Sequence, residues 1–193
     1  MATRARIGIF GGTFEPVHHG HLIAAEYVFE ACGLHKVLFI VAANPWQKSG
    51  ERVIGDAEER FEIVSDAIAD VPHFHADRRE IDRGGLTYTI DTLRELRAEM
   101  PDVDFTLVLG SDAAAKIDSW KAADEIAGLV DLAVVARPGT PVPHLSPRWK
   151  VTQVPSPAVD ISSTAIRERL AAGRSVRFFV PETILERVSR VWG

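Results

Sequence analysis

Two spacings of hydrophobic positions alternate along this chain. Residues 6–10 (RIGIF) and Lys36–Val41 (KVLFIV) are short, β-branched apolar runs, the pattern of strands covered on both faces. Between them Leu22, Ala25, Phe29 and Cys32 recur at helical spacing, which predicts a helix with Gly33 as its stop. Asp56 followed three residues on by Glu59 is a capping-box pattern, and Phe61, Val64, Ala67 and Ile68 supply the apolar face of the helix it opens. Residues 89–100 predict another amphipathic helix, with Ile90, Leu93 and Leu96 inward and Pro101 closing it. Residues 105–109 and 132–136 read as two further strands around a helical stretch. The segment 137–157 differs, because it holds six of the eleven prolines; it predicts a surface excursion around a short strand near 151–154. After it, Ile161-Ser162-Ser163-Thr164 leads into a helix ending near Gly173, and Pro181 opens a last helix through Val188. Strands alternating with helices predict an α/β fold, a Rossmann-like doubly wound parallel sheet with right-handed crossovers. One domain over residues 1–193 is expected, with the excursion at 137–157 and a C-terminal helical part at 161–193.

Composition narrows the function classes. With 193 residues, 46% of them hydrophobic and 25% charged, the chain can bury a core without metal or disulfide staples. Cys32 is the single cysteine and has no internal partner to oxidise with. The first residues carry no apolar leader, and no uncharged run approaches the roughly 18 residues that span a bilayer, so a cytoplasmic address and no membrane partner are expected. A net charge of -5, from 22 basic and 27 acidic residues, argues against a broad nucleic-acid surface. An anionic ligand would have to be held by local devices. The number of copies in the working unit stays open, a homo-oligomer included.

One such device follows the first strand. In a doubly wound sheet, ligands sit beyond the carboxyl ends of strands, where helix N-termini face outward. Here that turn reads Gly11-Gly12-Thr13-Phe14-Glu15-Pro16-Val17-His18-His19-Gly20-His21. Gly11 and Gly12 permit close backbone approach, Thr13 adds a hydroxyl, and His18 and His21 lie one helical turn apart, so that both imidazoles can meet one phosphate. Neither the Gly-x-Gly-x-x-Gly dinucleotide fingerprint nor a P-loop is present, since Lys48-Ser49 follows Pro45-Trp46-Gln47 rather than a glycine loop. On the residues alone, a plain glycine turn with surface histidines and a metal site at the crowded His18, His19 and His21 both remain open.

This turn resembles the signature of the nucleotidyltransferase superfamily, whose hallmark is His-x-Gly-His after the first strand. Ile161-Ser162-Ser163-Thr164-Ala165-Ile166-Arg167 resembles its second motif, in which a capped helix start and an arginine one turn along meet phosphate. Between them, Pro45-Trp46-Gln47-Lys48, the segment Asp82-Arg83-Gly84-Gly85-Leu86-Thr87-Tyr88-Thr89, Gly110-Ser111-Asp112 and Ser119-Trp120 are similar to bacterial nicotinate-nucleotide adenylyltransferases. The resemblance covers nearly the whole chain and is weakest in the proline-rich stretch and the last dozen residues. One departure stands out: Glu15 occupies a place where that family usually has aspartate before the proline.

The resemblance implies transfer of AMP from ATP to nicotinate mononucleotide, giving nicotinate adenine dinucleotide and pyrophosphate in NAD biosynthesis. It implies His18, His21 and Arg167 as the catalytic set. ATP would lie on Gly11, Gly12, Thr13 and Phe14, on Gly110, Asp112 and Arg137, and on Ile161, Ser163 and Thr164. The acceptor would meet Trp46, Lys48, Thr87, Tyr88 and Thr89, with Asp112 between the two nucleotides and Trp120 stacked on the pyridinium ring. Mg²⁺ is expected to arrive held mainly by ATP phosphates, with no metal site of the protein's own. Two other readings are an adenylyltransferase for another phosphorylated acceptor, such as phosphopantetheine, and a nucleotide sensor without turnover.

Overall fold

A computed structural model of the chain describes residues 4–44, 54–136, 143–157 and 159–193. Six strands form one sheet: β1 (Arg6–Gly12), β2 (Lys36–Val41), β3 (Phe74–Asp77), β4 (Asp104–Gly110), β5 (Val130–Ala136) and β6 (Val151–Pro155). Their order is β3-β2-β1-β4-β5-β6 and every neighbouring pair is parallel. The helices between them are α1 (His19–Ala31), α2 (Ala57–Ile68), α3 (Arg79–Arg83), α4 (Thr89–Glu99), α5 (Ser111–Ala114), α6 (Ala123–Leu129), α7 (Ser163–Ala171) and α8 (Glu182–Trp192).

Both faces of the sheet are covered, which is why the central strands read as unbroken apolar runs. Alternate residues of β2 serve opposite layers: Val37, Phe39 and Val41 pack with α1, α2 and α8 through Val28, Ile63, Val64 and Val188, whereas Leu38 and Ile40 join Ile7, Ile9, Ile90, Leu93 and Ile126 on the other side. Helix α1 ends as its glycine predicts. Gly33 takes φ +54°, and the Leu34 and Gly33 amides close onto the carbonyls of Phe29 and Glu30. The Asp56 side chain accepts from the Glu59 amide at 3.0 Å, as the capping pattern predicts.

Several elements differ from expectation. β1 runs on through both glycines to Gly12, carried by pairing with Ile40 and Val41 of β2. β3 and α3 were not predicted. β3 is an edge strand with one buried residue, Phe74, among His75, Ala76 and Asp77, and so lacks an apolar run. The inward face of α2 is Arg60, Ile63, Val64 and Ile68 rather than one built on Phe61 and Ala67, which are only partly buried. β6 lies where the short strand was expected, but the described part of the proline-rich stretch is not simply surface, because Trp149 is 6% exposed within the core.

The sheet order sets the location of a site. From β1 the chain winds outward through β2 and β3, then returns to the other side for β4, β5 and β6. The crevice beyond the ends of β1 and β4 is therefore a topological switch point, the place where such sheets bind ligands.

Candidate active site

The turn after β1 lies at that switch point and is braced from beneath. Phe14 sits in left-handed backbone at φ 47°, uncommon for an aromatic residue. Its ring is buried against Phe10, Phe39 and His21. A Cβ on Gly12 would stand 3.0 Å from that ring, so Gly12 makes room for Phe14, whereas Gly11 faces open space. What Phe14 presents to a ligand is thus backbone rather than its ring.

Beneath the turn is a residue that the sequence reading missed. Arg60 is only 1% exposed, and its guanidinium donates to the carbonyls of Thr13 (2.6 Å), Gly55 (3.0 Å) and Ala43 (3.3 Å). It joins the turn after β1, the segment after β2 and the start of α2. A signal was present, since Arg60, Ile63 and Val64 share the inward helical spacing. Glu15 is buried too, and its carboxylate accepts from the Gly55 amide. Its side chain therefore braces the turn, which accounts structurally for a carboxylate at this position.

His18 caps α1 and is buried, and His21 lies one turn on. Their rings stack with centroids 3.7 Å apart. The His18 amide donates to His21 Nδ1 at 3.3 Å, so the proton of neutral His21 resides on Nε2. Gly20 leaves room for this pairing, since a Cβ there would lie only 3.0 Å from His18 Nδ1. The α1 start is not wholly open: the His19 amide donates to the Phe179 carbonyl at 3.0 Å.

The second motif meets the first directly. Ser162 caps α7, accepting from the Ala165 amide, while the Ser163 hydroxyl donates to the Pro16 carbonyl at 2.9 Å. Arg167 donates to the Glu15 carbonyl at 2.6 Å and to Thr164 Oγ1 at 3.1 Å. Serine and arginine of one motif thus stand against residues 16 and 15 of the other. Ile161 is half-buried beside the core, and Thr164 is exposed.

On the other side of the turn a cleft is lined by Gly11, Gly12 and Thr13, by Glu80, by Thr87, Thr89 and Thr92 near the start of α4, and by Trp120. Thr87 is more committed than expected. Its amide donates to the Asn44 carbonyl and its hydroxyl bonds the Glu80 carboxylate. Tyr88 caps α4, with Lys121 Nζ 4.2 Å over its ring. Glu80, which sequence did not mark because it sits in a run of charged residues, accepts from the Thr92 hydroxyl at 2.6 Å. Burial pushes its carboxyl above the usual glutamate range, against the opposing pull of Thr92 and Arg83. Arg83 serves this loop, bonding Thr92 Oγ1 at 3.1 Å and Glu95 at 2.8 Å. Gly110 and Asp112 are exposed at the end of β4 and the start of α5. Trp46, Lys48 and Arg137 lie outside the described residues. Among the described residues, no group of three or more His, Cys, Asp or Glu side chains could hold a metal ion, and no helix is long and apolar enough to cross a membrane.

Comparison with known proteins agrees with this fold. A family model described as cytidylyltransferase-like matches residues 9–169. A protein of Acidothermus cellulolyticus named "Probable nicotinate-nucleotide adenylyltransferase" is 44% identical over 194 residues, covering 97% of this chain and 93% of its own. A Saccharopolyspora erythraea protein of the same name is 43% identical, covering 98% and 90%. Among solved structures, nicotinic acid mononucleotide adenylyltransferase of Plasmodium falciparum complexed with NaAD is similar with a TM-score of 0.77 at 15% identity, covering 96% of this chain and 95% of that one. The same enzyme complexed with APC gives 0.76 at 16% identity, covering 97% and 98%. At those identities the structures show the shared fold.

Proposed function

We propose, from the premise that this chain belongs to the cytidylyltransferase-like family and within it to the nicotinate-nucleotide adenylyltransferases, that it transfers AMP from ATP to nicotinate mononucleotide. The products are nicotinate adenine dinucleotide and pyrophosphate. The observation that carries the reading is the meeting of two motifs, with stacked His18 and His21 and the α7 start joined through the carbonyls of Glu15 and Pro16. The cleft running to Trp120 opens from that same turn.

The acceptor phosphate is already an anion at neutral pH, so the reaction needs no general base. The protein's task is alignment for in-line attack at the α-phosphorus and neutralisation of charge passing to pyrophosphate. His18 and His21 are the donors for the α-phosphate, Nε2–H of His21 foremost. Gly11, with open space at its Cα, admits the nucleotide to the backbone. The Ser163 and Thr164 helix start and Arg167 serve the β- and γ-phosphates. Thr89 and the Tyr88 cap flank the nicotinate carboxylate, and Trp120 offers its ring face to the pyridinium. Trp46, Lys48, Asp112, Gly110 and Arg137 complete the two subsites. A Mg²⁺ ion carried on phosphate oxygens would offset their charge. No covalent enzyme intermediate forms. Residues 1–193 act as one nucleotidyltransferase domain.

The test is pyrophosphate release from ATP with a panel of acceptors. Nicotinate mononucleotide should support turnover at least about 100-fold above phosphopantetheine or glycerol phosphate, the ratio expected where buried polar groups read the acceptor. Preference for phosphopantetheine would overturn the acceptor, and tight ATP binding with no turnover on any acceptor would overturn transfer itself.

A further inference from the structure

Trp120 lines the cleft, but its indole Nε1–H is buried without a hydrogen-bond partner among the described residues. The ring's orientation is therefore left to packing and to the turn that carries it. That turn is a single 3-10 turn, Ile117–Ser119, closed by the Trp120 amide donating to the Ile117 carbonyl at 3.0 Å. So short an element holds its shape only through outside contacts.

Those contacts come from the proline-rich stretch. Asp118 Oδ1 accepts from Trp149 Nε1 at 2.9 Å and pairs with Arg148 Nη2 at 2.9 Å, and the Ser146 amide also donates to the carboxylate. Three donors on one short segment converge on one carboxylate. Arg148 pairs in addition with Asp124 at the start of α6. The segment is itself anchored: Trp149 packs in the core beside Ile117, its amide donates to the Ser146 carbonyl, and the Leu132 amide donates to the Lys150 carbonyl. On the opposite side Lys121, next to Trp120, pairs with Asp91 of α4 at 3.2 Å.

We infer that Ser146, Arg148 and Trp149 form a clamp on Asp118 that positions Trp120 for the acceptor ring, so that the described part of the proline-rich stretch is a positioning element for the acceptor subsite. Exposed ion pairs of this kind contribute little to stability. Their effect lies in removing motion from a ring that must otherwise be immobilised when ligand binds. The inference rests on the proposed acceptor and deepens it.

Asp118→Ala removes all three acceptor contacts from a surface position, and Trp149→Phe deletes only the indole donor while keeping the ring in the core. In Asp118→Ala, KM for nicotinate mononucleotide should rise about fivefold, the cost of ordering one side chain on binding, with KM for ATP and kcat within about twofold. Trp149→Phe should give part of that rise. The double variant should be no worse than Asp118→Ala alone, since the contact that Trp149→Phe deletes is already lost in Asp118→Ala. Asp118→Asn, which keeps one acceptor oxygen, should restore part of the affinity. Without ligand, amide exchange at Ser119 and Trp120 should quicken about tenfold in Asp118→Ala. Unchanged exchange, or KM values for both substrates rising together, would overturn the clamp. If the wild-type protein does not turn over nicotinate mononucleotide at all, the proposed function fails instead, and the clamp stands or falls on exchange at those two amides.

Discussion

Replacing Arg60 tests whether the phosphate turn is held from below. Arg60→Met keeps most of the side-chain volume but strands the carbonyls of Thr13, Gly55 and Ala43 at a site where the arginine is 1% exposed. A hydrogen bond to a charged donor is worth about 1.5–3 kcal/mol, but three bonds from one guanidinium do not add, because part of that energy offsets the desolvation of the charge. A total loss of about 3–5 kcal/mol is expected, since each stranded carbonyl costs about 1–3 kcal/mol and relief of the charge's desolvation offsets part of the sum. At roughly 2–4 °C per kcal/mol for a chain of this size, the melting temperature should fall by about 10 °C. Arg60→Lys retains the charge, yet one ammonium cannot span three carbonyls from three segments, so it should fall between the two. Urea and thermal melts followed by circular dichroism measure this, and kcat is then taken well below each melting point. Because the turn carries His18 and His21, a displacement of about an ångström there should lower kcat of the folded Arg60→Lys protein by as much as about 100-fold. A melting point for Arg60→Met within about 2 °C of wild type would show that these bonds carry no net stability and refute the reasoning.

Three other substitutions probe the site separately. His21→Ala should lower kcat by about 10²–10³ with circular dichroism and melting point preserved, as for loss of one preorganised donor; near-wild-type turnover would remove His21 from the mechanism. In Gly20→Ala the new methyl meets His18 Nδ1 at 3.0 Å, so turnover should fall while the fold survives, and a crystal structure should show the two rings displaced; full activity with unmoved rings would contradict the packing argument. Glu80→Gln addresses pH. Burial raises the Glu80 carboxyl above its ordinary value of about 4.5 in the folded protein, so the folded state holds that proton more tightly than the unfolded one. Wild-type stability is then lost as pH rises from about 4.5 through the folded pKa and is level beyond it. Glu80→Gln lacks that loss, so its melting point relative to wild type should climb across this window and level off above it. A relative melting point that drops with rising pH would reverse the assignment.

Where the sequence was readable, the physics was local or periodic. β1, β2, β4 and β5 carry apolar runs because both faces of the sheet are covered, and Gly33 marks the α1 stop because the chain must turn left-handed there. β3 escaped because an edge strand needs few buried residues, and Phe74 alone provides no period. Arg60 escaped for a different reason. Its position was visible at i, i+3 and i+4 with Ile63 and Val64, but an arginine at an inward position is ordinarily discounted, and the three carbonyls that converge on it come from distant segments. Glu80 gave no signal, because its neighbours Asp77, Arg78, Arg79 and Asp82 make the stretch look like solvent-facing charge.

The candidate site was legible as two motifs but not as one object. Nothing in the spacing of residues 15 and 167 says that an arginine side chain would read a backbone carbonyl rather than another side chain. Yet Arg167 takes the Glu15 carbonyl, Ser163 takes that of Pro16, and the Glu15 carboxylate turns the other way to Gly55. This division separates what the Glu15 main chain does from what its side chain does. The contact to the second motif is made by main chain, which any residue supplies, whereas the brace to Gly55 depends on side-chain length. The same separation runs through the cleft. The Thr87 hydroxyl and amide are committed to Glu80 and Asn44, so the threonine that motif reading placed against the ligand mainly fixes the backbone that follows it. Motif residues in this protein thus divide into groups that face the substrates and groups that fix those groups in place. That division is set by contacts between distant segments, which no local pattern encodes.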